Sequence, residues 1–252
     1  MLNRLTENYM IKGMYTSASG MIPRVKKQEL VANNVANAAT AGYKKDAIFI
    51  RELSKAEQKL TPKQTDWQKP MVNETYVDYT PGTFDRTDNP LDLAIDGDGF
   101  FRLQDQDGNE FLTRSGTFQV DNAGFLSYPG GFRVIGESGP LLVGNGAVNV
   151  GQGGEIEVDG NQTGRIIPMT VDNMDKLEKV GGSLFRVPDG VQTSPAANAM
   201  LRQGYLETSN VDIVREMVDM MIAYRTYETN AKALQVQDES LDTLFKRVAG
   251  NG

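Results

Sequence analysis

The stretch from Ser209 to Val248, SNVDIVREMVDMMIAYRTYETNAKALQVQDESLDTLFKRV, contains neither proline nor glycine, and Gly250 closes it. Ser209 followed by Asp212 has the spacing of a capping box, with a carboxylate in the first turn. Apolar positions recur in steps of three and four: Val214, Met217, Met221 and Tyr224, then Tyr227, Ala231, Leu234, Leu241, Phe245 and Val248, with Asp238 as the one charged interruption. The step from Tyr224 to Tyr227 breaks the heptad phase in the manner of a stammer. A helix of this extent is roughly 55–60 Å long. Globular helices usually run about 8–20 residues, so this one is expected to pack lengthwise against other helices in a coiled-coil-like way.

A second helix is expected from about Ile11 to Ala39. Ile11, Met14, Ala18, Met21, Val25, Ala32 and Val35 follow a heptad, with Gln28 holding the place between Val25 and Ala32. Small residues are dense here, so the helix can approach a partner closely but buries little area and is marginal alone. Pro23 removes one helical hydrogen bond, which predicts either a kink or a separate segment ending at Met21-Ile22. Thr40-Ala41-Gly42 is expected to end the helix.

Between these helices the character changes twice. Residues 43–81 are polar, Lys-rich and punctuated by Pro62, Pro70 and Pro81. They read as an extended connector with one short helix around Ala47–Leu60, anchored by Trp67. From Gly82 to about Ala199 short strands alternate with Gly and Pro turns. FFRLQDQDGNEFLTR reads as a hairpin turning at Gln106–Asn109, and GTFQVDNAGFLSY as a second turning at Asp121–Gly124. The expected fold is therefore α+β. Residues 1–42 and 201–252 form a discontinuous helical domain, and residues 82–200 form an inserted all-β module.

Little in the chain offers chemistry. With no Cys and no His, His-based triads, thiolate or imidazole zinc sites and disulfides are excluded. Asp105-Gln-Asp107-Gly-Asn109 begins like a calcium loop, but its glycine is fourth and its twelfth position is Gly116 where a glutamate is needed. Neither Asp96-Gly97-Asp98-Gly99 nor VGQGGEIEVDGN has phosphate-loop spacing. No catalytic, cofactor-binding or metal-binding residue is therefore expected. A net charge of −7 gives no general attraction to nucleic acid or anionic lipid. No apolar run approaches the roughly 20 residues of a membrane span, and no cleaved signal is expected at the N-terminus.

Four stretches resemble the flagellar axial proteins, specifically basal-body rod proteins of the FlgF/FlgG type. They are MIKGMYTSASGM with LVANNVANAATAGYKK, TPGTFDRTDNPLDLAIDGDGFFRL, FLTRSGTFQVDNAGFL and QGYLETSNVDIVREMVDMMIAYRTYETNAKAL. The resemblance implies a structural subunit without catalysis. Its terminal helices would pack with other copies and with neighbouring rod or hook-family proteins as the inner tube of a filament, with the β module outside. It implies export, uncleaved, through the flagellar type III apparatus, to a rod lying in the periplasm or cell envelope. FRVIGESGPLLV is closer to the proximal rod type, which is favoured. The C-terminal stretch is at least as close to the distal type. A family-like chain would begin at Met10, and Pro23 departs from the family's continuous helix. Without the resemblance, the residues also fit a monomeric cell-envelope scaffold or adhesion module with a helical stalk.

Overall fold

The computed structural model describes residues 2–51, 71–188 and 190–249. The chain divides into two compact units. One holds residues 1–36, 46–76 and 212–252, and the other holds 37–45 and 77–211.

The first unit is built on two antiparallel helices, α1 (Leu2–Ala36) and α2 (Ile213–Ala249). Asn34 faces Glu216, Lys27 faces Asp219, and Gly20 lies against Asn230. As one partner number falls the other rises, so the helices run in opposite directions. Ala223 and Val31 are buried. Pro23 sits inside α1, which runs continuously through it. The expectation of a separate segment ending at Met21-Ile22 is therefore not met. The helix loses the one bond that Pro23 cannot donate, and the proline ring is itself buried. α2 begins at Ile213 rather than at Ser209. Its cap is Asp212, whose carboxylate accepts from the amides of Val214 and Arg215 at 3.0 and 3.1 Å. The Ser209 hydroxyl instead accepts from the Val211 amide, two residues on.

Part of the expected connector is a sheet. Asp46–Arg51 pairs with Met71–Val77, so the start of the short helix expected over Ala47–Leu60 is strand, and the rest of that span lies outside the described residues. Asn34 fixes the start of this pair. Its side-chain amide donates to the Asp46 carbonyl (2.8 Å) and its side-chain oxygen accepts from the Asp46 amide (2.9 Å), as a neighbouring strand would. Residues 52–70, with Trp67, lie outside the described residues.

The strands of the second unit are all antiparallel, with a 3-10 turn at Met174–Lys176 among them. Its main sheet runs in the spatial order Glu178–Gly181, Leu184–Arg186, Glu110–Thr113, Phe101–Gln104, Phe132–Gly136, Leu126–Tyr128 and Gln119–Val120, with Gly139–Pro140 pairing Phe132–Gly136. Alternate side chains point to opposite faces, and both faces are buried. Phe101, Leu103 and Phe111 enter one core with Leu126 and Ile156, while Phe100, Leu112 and Phe185 enter another. The β region extends further than expected. Met200–Gln203 pairs with Leu93–Asp96, and Tyr205–Glu207 pairs with Phe84–Arg86.

Both expected hairpins form, and both turns are organised by an aspartate. Asp105 accepts from the amides of Asp107 and Asn109 at 2.9 and 2.8 Å, and from the Asn109 side chain at 2.8 Å. Asp121 accepts from the amides of Ala123 and Phe125, both at 2.8 Å. The Asn109 side-chain bond, and then the turn amides, hold the Asp105 carboxyl below the usual carboxylate value. The Phe125 amide has the largest part in doing the same for Asp121, helped by the Ala123 amide and Arg133. A carboxyl lowered in the folded state stabilises the fold above its unfolded value and stops doing so as pH falls through the folded value. The urea midpoint of the native chain should therefore exceed that of Asp105→Asn/Asp121→Asn at pH 6. The gap should close as pH falls below about 4. A gap that widens on acidification would contradict the assignment.

Candidate assembly site

Glu207 is the most deeply buried carboxylate among the described residues. It ends the strand Tyr205–Glu207 and is buried with Lys44 and Arg114, none of the three more than 4% exposed. Its Oε1 accepts from Lys44 Nζ at 2.6 Å and from the Gly82 amide at 3.0 Å. Its Oε2 accepts from Arg114 Nε, and its backbone carbonyl accepts from the Gly42 amide at 2.8 Å. Lys44 also donates to the Thr80 carbonyl (2.8 Å). Burial pulls the Lys44 ammonium below the usual lysine value, and Glu207 opposes that pull.

Arg114 directs its remaining donors to the turn before Phe100. It reaches the carbonyls of Gly99, Ile95 (2.8 Å) and Gly97 (2.6 Å). The Asp96-Gly97-Asp98-Gly99 stretch is thus a turn held by a guanidinium. Asn210 closes the same region. Its side chain accepts from the Lys45 amide and donates to the Asp78 carbonyl, each at 2.8 Å. Gly42 makes the approach possible. It has φ +66°, and a Cβ there would lie 2.3 Å from the Ser115 amide nitrogen. No group of acidic, His or Cys side chains among the described residues could hold a metal ion.

The helical unit supplies a different kind of surface. The single stripe expected on α2 divides at the Tyr224–Tyr227 phase break. Val214, Met217, Met221 and Tyr224 are exposed, at 73%, 53%, 55% and 53%. Tyr227, Ala231, Leu234 and Leu241 are half-buried. Counted at 100° per residue from Ala223, these four lie on the side that meets α1. Val218 and Ile222 enlarge the exposed band. On α1, Ala18, Val25 and Ala32 are exposed while Met21 and Val35 are half-buried. The α1 heptad therefore mostly faces away from α2, and Gly20, Lys27, Val31 and Asn34 form the actual seam. Ile11, Met14 and Phe245 fall in the helices, but their side chains lie outside the described residues. No helix among the described residues is long and apolar enough to cross a membrane.

Both features lie in regions that match known protein families. Residues 14–44 match the flagella basal body rod protein family, 94–168 the flagellar hook protein FlgE/F/G D1 domain, and 202–247 the flagellar basal body rod FlgEFG protein C-terminal region. The FlgG rod protein of Bacillus subtilis is 31% identical over 93% of this chain and 98% of its own length. The chain belongs to the flagellar basal-body rod protein family. FlgF of Caulobacter vibrioides is 32% identical over 89% of this chain and 93% of its own, and FlgF of Escherichia coli 30% over 92% and 97%. Relatives of both rod types thus match about equally well. Within this rod protein, each matched region supplies one corner of the buried cluster: Lys44, Arg114 and Glu207. Sequence reasoning missed all three, although each lies in or beside a stretch that carries the family resemblance.

Glu207→Gln leaves two buried cations without their counter-charge. It should cost about 3–5 kcal/mol in chemical denaturation. Adding Lys44→Met should cost less than the sum of the two single losses, because the second change removes a charge already unpaired. Small, additive losses would show the cluster to be incidental.

Proposed function

We propose that the chain is a structural subunit of the flagellar rod, without catalytic activity. It polymerises through α1 and α2 with copies of itself and with neighbouring rod or hook-family proteins. The observation that carries this reading is the exposed apolar band on α2. Five large side chains, Val214, Met217, Val218, Met221 and Ile222, stand in water along about two and a half turns of helix. A contiguous exposed apolar patch marks an interaction site, and a rod subunit supplies such a partner in its neighbours.

Family membership supports the rest of the reading. The subunit is exported through the flagellar type III apparatus and works in the basal body, within the cell envelope. Of the two rod types, the proximal one is favoured by residues 132–143, FRVIGESGPLLV. The helices carry assembly and transmit torque along the rod, while the β unit decorates it.

Met217→Lys with Met221→Lys tests this directly. Both side chains are exposed in the free chain, so its unfolding midpoint should hardly move. An ammonium buried in an apolar subunit contact costs several kcal/mol unless paired, so rods in isolated basal bodies and swimming should both be lost. Normal rods and motility would reject helical assembly and leave the monomeric scaffold or adhesion reading.

A further inference from the structure

We infer that Asn145 is a site of spontaneous modification: it loses ammonia by reaction with the Gly146 amide, becomes aspartate and isoaspartate, and as isoaspartate loosens the strand that follows. This inference lies in the β unit and does not depend on the rod reading. Asn145 stands exposed in the turn between Val143, which is buried, and the strand Val148–Val150. It is followed by glycine, the one such pair among the described residues. The chemistry needs that pair. The Gly146 nitrogen attacks Asn145 Cγ and closes a succinimide ring, while the bond from Cγ to the side-chain nitrogen breaks. The Gly146 N–H proton leaves with that NH2 group as ammonia. Water then opens the ring. Attack at Cγ gives aspartate, and attack at the main-chain carbonyl gives isoaspartate, whose backbone runs through Cβ. A following side chain would crowd the first attack, and glycine leaves it open. Asn34, Asn109 and Asn210, by contrast, have side-chain amides held in hydrogen bonds and precede Val35, Glu110 and Val211.

The packing of the turn keeps the labile pair and makes its loss felt. A Cβ at Gly146 would lie 2.5 Å from both Asp159 Oδ2 and Val158 Cγ1, so glycine is favoured at the position that makes Asn145 reactive. The turn is tied at both ends. The Gly144 amide donates to the Gly124 carbonyl at 2.9 Å. The Ala147 amide donates to Asp159 Oδ1 at 2.9 Å, and the Asp159 amide donates to the Ala147 carbonyl at 3.1 Å. Isoaspartate puts an extra carbon into the main chain between these ties and a new negative charge near the Asp159 carboxylate. Just past the second tie, Val148 pairs with Val158 and Val150 with Ile156, and Val150 and Ile156 are both in the main core. The lengthened turn must release a tie or move that strand. The reaction consumes only water, so the site records the age of the chain.

The test ages the purified full chain in warm, mildly alkaline buffer, once folded and once in guanidinium chloride, with the unaged chain as baseline. One tryptic peptide, residues 134–165, carries Asn145, Asn149 and Asn161 together, and its fragments locate each conversion. The second Asn-Gly pair, Asn251–Gly252, falls in another peptide. In the folded chain Asn145 should convert at least tenfold faster than Asn149 and Asn161, and within fivefold of its own rate in guanidinium chloride, with isoaspartate in excess over aspartate. Conversion no faster than at Asn149 and Asn161, or more than fivefold slower than in the unfolded chain, would overturn the site. The urea midpoint then reads the consequence. The aged chain should unfold at lower urea than unaged Asn145→Asp, which carries the charge without the extra carbon, and aged Asn145→Gln should keep its midpoint. An aged chain no less stable than Asn145→Asp, or an equal loss in aged Asn145→Gln, would overturn the loosening of the strand.

Discussion

A buried carboxylate cannot be left unpaired, and Glu207 is satisfied only when distant parts of the chain are in place together. Lys44 is 163 residues away in sequence and Arg114 is 93 away. Gly82 and Gly42 contribute amides to the same residue. Removing one partner of such a cluster leaves a charge in a low-dielectric site, which costs far more than the pair gains over an apolar replacement. The cluster therefore acts as a closure. The segment 37–45, the β strands and the segment 205–211 become one unit at a single point. The β unit thereby includes stretches from both sides of the sequence that reads as β.

The helical unit is built the opposite way. Its internal seam sets small and polar groups, Gly20, Lys27 with Asp219, and Asn34 with Glu216, beside apolar ones such as Val31 and Ala223. The polar pairs specify register, while further large apolar side chains stand outside on α2. A partly exposed ion pair such as Lys27–Asp219 adds about 1 kcal/mol or less. Under the proposed assembly, neighbouring helices cover the apolar side chains that stand exposed on α2. That is the arrangement expected of an assembling element, and it gives the two units different roles. The β unit is complete within a chain, and under the proposed assembly the helical unit is completed by its neighbours.

The parts legible in the sequence were those with a period. The proline-free run from Val211, the two hairpins and the α+β arrangement all follow from periodicity and turn chemistry. The break in phase at Tyr224–Tyr227 was also visible. What it meant was not, because a stripe does not say which neighbour it faces: before the break it faces outward, after it α1. The α1 heptad had the same ambiguity, and the true seam through Gly20, Lys27 and Asn34 is polar enough to escape a hydrophobicity count. Glu207, Lys44 and Arg114 left no periodic trace, since a long-range ion cluster is written in three single residues. Strand Asp46–Arg51 was hidden because Asn34, on a helix, supplies part of its pairing. Strands at Met200–Gln203 and Tyr205–Glu207 were absorbed into the expected helical domain because their partners lie more than 100 residues earlier.

Hydrogen exchange, compared between the dilute chain and assembled rods, tests the division of labour most directly. Amides of the β unit, including Gly42, Gly82 and Leu126, should exchange at the same slow rate in both states. Amides of residues 18–32 and 213–225 should slow markedly on assembly. Slowing confined to the β unit, with the helices unchanged, would contradict the account.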